Sequence, residues 1–287
     1  MTSRAFLVSA GFVLLMVSGA DASSWRTPKN EYAYKTESGQ LIKPTVFEVD
    51  MRKDQLRVIS VPFEAHSSPG SSELSLRDLG KVLAEQRKYR SRDWMLVNGG
   101  FSSYAVDVPL GLLVTEGRVY STVTLEKNKE SGKDASEFNQ LRWGGILCQR
   151  KSEGPWEIIP ATRYRPKMCW QAIQAGPVLV EPDSKVGIAV NEPKLKFPFK
   201  RTVICLPKEP TIKVVLTEQN TSLLSLARWL AKPKSAGGLG CRAAINLSGD
   251  TSSGAAIFSS RNKSIEFIGE GAFPIPSALI FEGRVQQ

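Results

Sequence analysis

Residues 243–258 read Ala-Ala-Ile-Asn-Leu-Ser-Gly-Asp-Thr-Ser-Ser-Gly-Ala-Ala-Ile-Phe, and the rest of the chain is organised around this stretch. Two short apolar runs, 243–247 and 254–258, flank a polar hinge at 248–253. Runs this apolar favour buried strands, although their length alone does not exclude helix. The hydroxyls and the single carboxylate of the hinge either form a solvated hairpin turn or converge on a ligand.

A second stretch of the same kind lies far upstream. Residues 94–101 read Trp-Met-Leu-Val-Asn-Gly-Gly-Phe, so an apolar strand runs directly into a polar residue and two glycines. Adjacent glycines after a strand allow backbone N–H groups to approach a ligand closely. An Asn-Gly hairpin turn is the alternative, but the next apolar run begins only at residue 110, which is too far for a tight hairpin. The spacing therefore favours a functional loop.

Five short motifs follow one another between residues 98 and 279. They are Asn98-Gly99-Gly100-Phe101 with the later run 109–114, Gln174-Ala175-Gly176-Pro177, Arg201-Thr202, Asn246-Leu247 with Gly249 and Ser252-Ser253, and Pro276-Ser277-Ala278-Leu279. In this order they resemble the phosphodiester glycosidase family. That family includes the uncovering enzyme, which removes N-acetylglucosamine from a sugar phosphodiester. The resemblance covers roughly residues 44–282, which is nearly all of the expected mature chain. It implies a hydrolase that acts on a phosphorylated or anionic glycan.

The resemblance and the chemistry of a phosphate leaving group together give a candidate site. Phosphate leaves as an anion, so a cation that clamps it matters more than an acid that protonates it. A guanidinium binds phosphate through two hydrogen bonds, which makes Arg201 the candidate clamp. The candidate catalytic residues are Asp250, Arg201 and Asp107. The candidate substrate-binding residues are Asn98, Gly99, Gly100, Gln174, Gly176, Ser248, Gly249, Ser252 and Ser253.

The chain departs from the family at one sensitive position. The family usually has Asp-Gly where this sequence has Ser248-Gly249. Asp250 lies two residues further on and supplies the missing carboxylate if the loop is shifted relative to that of the family. Otherwise the chemistry is altered or lost. Two functions therefore stay open: an exported phosphodiester glycosidase, and a non-catalytic binder of anionic envelope glycans on the same scaffold.

The N-terminus predicts export. Residues 1–22 combine Arg4, an apolar run at 5–17 and the small-x-small pattern Ala20-Asp21-Ala22, which is typical of a cleavable signal peptide; an uncleaved anchor is the alternative. We expect the mature protein to start near Ser23 and to be secreted or periplasmic. No linker divides residues 23–287, so we expect one domain.

The net charge of +10 favours anionic partners. For an exported protein these are phosphorylated glycans and, through peripheral contact, an anionic envelope surface. No nucleic-acid-binding motif is found, so no nucleic acid is expected.

His66 is the single histidine and no Cys-x-x-Cys pair occurs, so no metal site is predicted. No cofactor is expected, and a divalent cation requirement stays open.

Four widely spaced cysteines predict two disulfides in an oxidising compartment, with four buried free thiols as the alternative. Of the three connectivities we favour Cys148 with Cys169 and Cys205 with Cys241. The second pair would fasten the strand after Arg201 to the segment that leads into the central hinge.

The pattern of apolar residues predicts an α+β fold with a large, mostly antiparallel or mixed β-sheet and two main helices. Alternation at 45–51 and 56–61 predicts a hairpin. Helical spacing predicts helices at 74–89, with Ser75 as N-cap, and at 223–231, with Thr221 or Ser222 as cap. Further strands are predicted at 95–97, 110–114, 118–121, 141–148, 156–159, 171–174, 178–180, 202–206, 212–216 and 264–268.

Overall fold

The computed structural model describes residue 25 and residues 27–64, 74–102, 109–125, 144–188 and 197–284. The predicted signal segment 1–22, His66 and Asp107 lie outside these residues. The strands are β1 Tyr34–Lys35, β2 Leu41–Ile42, β3 Thr45–Asp50, β4 Asp54–Ser60, β5 Trp94–Asn98, β6 Leu113–Thr115, β7 Arg118–Ser121, β8 Gly145–Gln149, β9 Trp156–Pro160, β10 Gln171–Ala175, β11 Val178–Glu181, β12 Lys185–Val186, β13 Phe199–Leu206, β14 Thr211–Thr221, β15 Ala243–Asn246, β16 Gly254–Ser259, β17 Ser264–Gly269 and β18 Ser277–Gly283. The helices are α1 Val61–Glu64, α2 Leu76–Glu85, α3 Arg87–Arg90 and α4 Leu223–Ala231.

The strands are divided among three main sheets. Sheet 1 has six strands in the order β12-β11-β15-β13-β14-β3, sheet 2 has five in the order β17-β16-β5-β18-β4, and sheet 3 has five in the order β7-β6-β10-β8-β9. Strands β1 and β2 form a separate pair. Neighbouring strands in these sheets are antiparallel. The α+β class and the antiparallel pairing are confirmed.

One apolar core joins the three sheets. It contains Phe47 and Ile204 of sheet 1, Val97 and Leu279 of sheet 2, and Ile173 of sheet 3. Two further clusters lie on outer faces, where α4 packs on sheet 1 and α2 packs on sheet 2. The inner faces of all three sheets are therefore buried together, which holds the strand ends in fixed relative positions.

The two main helices form where the spacing predicts them. Ser75 caps α2 by accepting a hydrogen bond from the Asp78 N–H, and Ser222 caps α4 by accepting one from the Ser225 N–H. The helix predicted over 74–89 is not continuous, because Gln86 is extended (φ −70°, ψ 132°) and separates α2 from the short α3.

The hairpin predicted from 45–51 and 56–61 is wrong, although both strands exist. β3 pairs with β14 in sheet 1, whereas β4 pairs with β18 in sheet 2. Both strands bury side chains in the shared core, and alternation alone cannot distinguish a hairpin from a chain that crosses between two packed sheets. Residues 243–258 behave in the same way, with β15 in sheet 1 and β16 in sheet 2. The polar hinge therefore links two sheets.

Both predicted disulfides are present. Cys148 bonds Cys169 and Cys205 bonds Cys241, with Cα–Cα distances of 5.7 and 5.5 Å. The second bond ties β13 to the segment that precedes β15, as expected. Two disulfides agree with folding in an oxidising compartment. Among the helices that the structure describes, none is long and apolar enough to cross a bilayer.

Candidate active site

Strands from all three sheets end or begin close together at one end of the fold. β5 ends at Asn98, which pairs with Ala278 at the start of β18. β15 ends at Asn246, which pairs with Val203 of β13, and β10 of sheet 3 ends at Ala175. The motif residues follow these strand ends. We call this region, defined by Asn98, Ala175 and Asn246, the motif end.

Asn98 connects sheet 1 to sheet 2 and is completely buried. Its Nδ2 donates to the Ser248 carbonyl at 2.6 Å, while its Oδ1 accepts from the Thr202 hydroxyl at 2.6 Å and from the Gly254 N–H at 3.3 Å. The Asn98 amide thus contacts Ser248, the first residue of the hinge, and Gly254, the residue that follows the hinge. It holds the hinge against β13 rather than leaving its polar atoms free for a ligand.

Thr202 and Ser253 extend this buried network. Their hydroxyl oxygens lie 2.7 Å apart. Because the Thr202 hydroxyl already donates its one proton to Asn98, Ser253 donates to Thr202. Ser253 is 3% exposed, so its hydroxyl stabilises the end of the hinge against Thr202 from inside the protein. Direct substrate contact by Asn98 and Ser253 stays a prediction.

The two glycines after Asn98 allow three chain segments to approach closely. Gly99 donates its N–H to the Ser277 carbonyl at 3.0 Å and accepts from the Ser248 N–H at 3.0 Å. A Cβ on Gly99 would lie 2.5 Å from Ser277 Oγ, and one on Gly100 would lie 2.7 Å from the Gln174 carbonyl oxygen. Real Cβ atoms do not approach other atoms so closely, so both positions require glycine.

We expect Gly99→Ala to lower the free energy of unfolding by about 1–3 kcal/mol, because the added methyl group overlaps the backbone of Ser277. Urea denaturation followed by circular dichroism measures the change. Gly154→Ala is the matched control, since its nearest neighbour would be 3.4 Å from the new Cβ, and we expect a change within about 0.5 kcal/mol. Equal unfolding midpoints for the two variants would contradict the close packing at Gly99.

Gln174 and Gly176 organise the neighbouring segments. The Gln174 amide accepts from the Leu112 and Thr124 N–H groups at 2.9 Å each and donates to the Thr124 carbonyl at 2.8 Å. The Gly176 carbonyl accepts from Asn246 Nδ2 at 3.0 Å. Both residues lie at the motif end, and the contacts described for them are internal. Their predicted role in substrate binding is not tested by this geometry.

Arg201 is buried and has no carboxylate in ion-pair contact among the residues that the structure describes. The residue is 9% exposed, and none of the ion pairs among the described residues involves its guanidinium. Its Nη2 donates to the Phe197 carbonyl at 3.3 Å, its guanidinium lies 5.1 Å from the centre of the Phe199 ring, and its Nε has no hydrogen-bond partner in the described part of the chain. Burial lowers the pKa of Arg201 to about 10, partly offset by the negative charge of Asp250 and by Tyr34. The guanidinium stays charged at neutral pH and has N–H groups left for an anion.

The hinge passes directly beside this guanidinium. A Cβ on Gly249 would lie 2.7 Å from the Lys200 carbonyl oxygen and 3.7 Å from Nη1 of Arg201. Asp250 follows with φ 55°, a left-handed conformation that Asp tolerates better than most residues, and its side chain is exposed. Ser248 is partly exposed and Ser252 is buried. The hinge therefore offers one exposed carboxylate near a buried cation.

The candidate residues that the structure describes lie at the motif end, but not all on one face of sheet 1. Arg201 and Thr202 are consecutive in β13, so their side chains point to opposite faces. Thr202 faces the inner network with Asn98, whereas Arg201 faces the side of Tyr34. Asp107 lies outside the described residues. Sequence reasoning did not single out Thr202, Asn246 or Ser277 as site residues, although a hydroxyl or amide in an otherwise apolar strand was an available signal.

Comparison with known proteins identifies the family. Residues 94–282 match the family model described as phosphodiester glycosidase, and the chain belongs to this family. The matched range contains all the motif residues named above. No curated protein matches the chain.

Two solved structures have a similar fold. One is the catalytic domain of zebrafish N-acetylglucosamine-1-phosphodiester alpha-N-acetylglucosaminidase, auto-inhibited by its pro-peptide, with a TM-score of 0.56 and 13% identity over 90% of this chain and 82% of that chain. The other is a hypothetical protein from Synechocystis, with a TM-score of 0.55 and 13% identity over 88% of this chain and 61% of that chain. At these identities the two structures support the fold alone.

Proposed function

We propose that residues 23–287, after removal of a signal segment at 1–22, form one exported domain that hydrolyses a sugar 1-phosphodiester in an envelope or extracellular glycan. The observation that carries the proposal is the buried guanidinium of Arg201, which has no carboxylate partner among the described residues and lies beside the polar hinge. A buried charge that is not neutralised favours the binding of a counter-ion. A phosphate group of the substrate is the anion that the family membership supports.

The reaction forms a bond between a water oxygen and the anomeric carbon and breaks the bond from that carbon to the phosphate oxygen. The phosphate monoester leaves with the electron pair of the broken bond. Arg201 stabilises the charge that develops on the leaving phosphate, and the stabilisation is greatest in the transition state. This division of work explains why a cation can be more important here than a second carboxylic acid.

We assign Asp250 as the general base that activates the attacking water. Its exposed position on the hinge leaves it accessible to substrate and solvent. A carboxylate in this role accepts the proton of the attacking water. Asp107 remains the second candidate for this role, on the basis of the sequence.

The substrate class follows from the family and from the basic surface. The zebrafish protein of similar fold is named for N-acetylglucosamine 1-phosphodiesters, so this sugar is the first to test. The net charge of +10 supports an anionic glycan as partner, and the two disulfides support a secreted or periplasmic location.

A non-catalytic binder of anionic glycans is the second candidate function. Ser248 favours it, because serine stands where the family usually has aspartate. A binder would use Arg201 to hold phosphate in the same way but would not activate water. The two functions therefore predict the same ligand and differ only in turnover.

The test uses purified mature protein, an α-linked N-acetylglucosamine 1-phosphodiester of a simple alcohol, and water enriched in oxygen-18. We expect release of the sugar, with no heavy oxygen in the phosphate monoester, because the bond that breaks is at the anomeric carbon. Mass spectrometry of the phosphate product measures this directly. Heavy oxygen in the phosphate would contradict glycosidase chemistry, and saturable binding without any turnover would favour the binder.

A further inference from the structure

A cavity lies at the end of the fold opposite the motif end. β18 runs from Ser277 at the motif end to Gly283, which pairs with Asp54 at the far end. β10 likewise runs from Gln171 to Ala175, so Gln171 lies at the far end. A cavity of about 830 Å³ there is lined by residues 51–52, 55–57, 116, 149, 152–156, 170–171, 206–212, 242 and 284. We call it the far-end cavity; its volume lies within the range of ligand sites.

Trp170 gives this cavity an aromatic wall. The residue is 38% exposed, which is unusual for so large an apolar residue in a chain whose other described tryptophans are buried. The ring lies against Gly117, whose φ is +77° and whose missing Cβ would be 3.0 Å from Cζ3 of the indole. The glycine in the β6–β7 turn thus supports one part of the ring, and the exposed remainder lines the cavity. An exposed, supported indole can stack on the apolar face of a sugar ring.

The charged groups of the wall leave an excess of positive charge. Lys208 and Arg242 have no ion-pair or hydrogen-bond partner for their side chains among the described residues. The guanidinium of Arg284 donates only to the carbonyls of Asp54 and Met51 in that part of the chain. Three cations therefore lack a carboxylate within the described part of the chain.

The acidic residues of the wall do not cancel this charge. Glu116 is paired with Arg57 at 3.5 Å and Glu209 with Lys234 at 3.2 Å, so Glu153 is the carboxylate left over. A ligand with negative groups would be attracted to this wall.

We propose that the far-end cavity is a second binding site, for an acidic oligosaccharide. The indole of Trp170 provides the surface for a sugar ring, and Lys208, Arg242 and Arg284 provide the charges for its acidic groups. A compact inorganic anion would use the charges but not the indole, and a neutral sugar would use the indole but not the charges. The site shares no residue with the proposed hydrolytic site and does not depend on that function.

The experiment measures binding by calorimetry with two probes, an octasaccharide of galacturonic acid and a sulfated octasaccharide derived from heparin. We expect at least one to bind. Trp170→Ala and the double variant Lys208→Gln with Arg242→Gln should each weaken that binding about tenfold or more, a change of about 1.4 kcal/mol. Lys81→Gln is the matched control: it removes one exposed lysine charge on α2, away from the cavity, and should leave binding unchanged.

Further measurements separate this site from the motif end and from general attraction to charge. Binding should persist in Arg201→Met and should be far weaker for maltooctaose and for inorganic polyphosphate of similar charge. The proposal is overturned if neither acidic probe binds, if polyphosphate binds as well as the sugars, or if correctly folded Trp170→Ala binds like the wild type. Loss of binding in Arg201→Met alone would place the oligosaccharide at the motif end instead.

Discussion

Arg201→Met is expected to reduce kcat/KM for a sugar 1-phosphodiester by about a hundredfold or more, because it removes the cation that stabilises the leaving phosphate in the transition state. Methionine has a similar length to the arginine stem, so the change leaves little empty space. Steady-state kinetics with a defined N-acetylglucosamine 1-phosphodiester measures the effect.

The same substitution should not destabilise the protein. Arg201 is 9% exposed and has no carboxylate partner among the described residues, so the folded state carries the cost of a buried, unpaired charge. The pKa of Arg201, lowered to about 10 by burial, has the same origin. Replacing such a charge by an apolar side chain is often neutral or stabilising. We expect the free energy of unfolding to stay within about 1 kcal/mol of the wild type or to rise.

Arg92→Met is the control variant, for which we expect lower stability and unchanged activity. Arg92 pairs at 2.9 Å with Glu282, whose side chain is 1% exposed, and it lies outside both proposed sites. Its loss should lower the free energy of unfolding by about 1–3 kcal/mol while kcat/KM stays unchanged. If Arg201→Met retains full activity, or if it loses activity only through unfolding, Arg201 is not the phosphate clamp.

Strands and helix caps were predictable from the sequence, because the residues of each short segment determine them. The apolar runs at 243–247 and 254–258 became β15 and β16, and the serines before α2 and α4 became their caps. Strand pairing was not predictable in the same way. Thr45–Asp50 pairs with residues 211–216 rather than with the next strand, because the shared core selects partners that are distant in sequence.

The location of the candidate site was more predictable than the roles of its residues. The order of the motifs pointed to a common region, and Asn98 does contact the Ser248 carbonyl. The sequence could not indicate that the Asn98 amide is fully engaged by Ser248, Thr202 and Gly254. Nor could a motif that contains Arg201 and Thr202 indicate that the two side chains serve different faces of β13. Such roles depend on hydrogen bonds between residues far apart in the chain.

Because Thr202 and Arg201 lie on opposite faces of β13, the hinge has different contacts on its two sides. The inner network of Asn98, Thr202 and Ser253 holds the hinge backbone, while Arg201 lies on the other face beside Gly249. The hinge is therefore anchored from one side and faces a cation on the other. Its side chains can change without loss of the anchor, because the Ser248 contacts to Gly99 and Asn98 are made by its backbone.

Asp250→Asn is expected to lower kcat by about a hundredfold and to leave the affinity for a sugar 1-phosphate nearly unchanged, because a general base contributes to the chemical step. Asparagine is well suited to this test. It tolerates the left-handed backbone of Asp250 (φ 55°) and is nearly the same size, so the substitution removes the charge with little change in structure. Kinetics and calorimetry on the same preparation separate the two quantities.

Ser248→Asp completes the test by placing a carboxylate where the family usually has one. Its backbone contacts are retained and its side chain is partly exposed, so the new carboxylate can be accommodated. If Asp250 is the working base, Ser248→Asp should change kcat less than threefold in the wild type and should recover part of the activity lost in Asp250→Asn. If the wild type binds sugar phosphates without cleaving them and Ser248→Asp creates turnover, the present protein is a binder derived from an enzyme. If neither substitution changes turnover or binding, the hinge carboxylate has no part in the function.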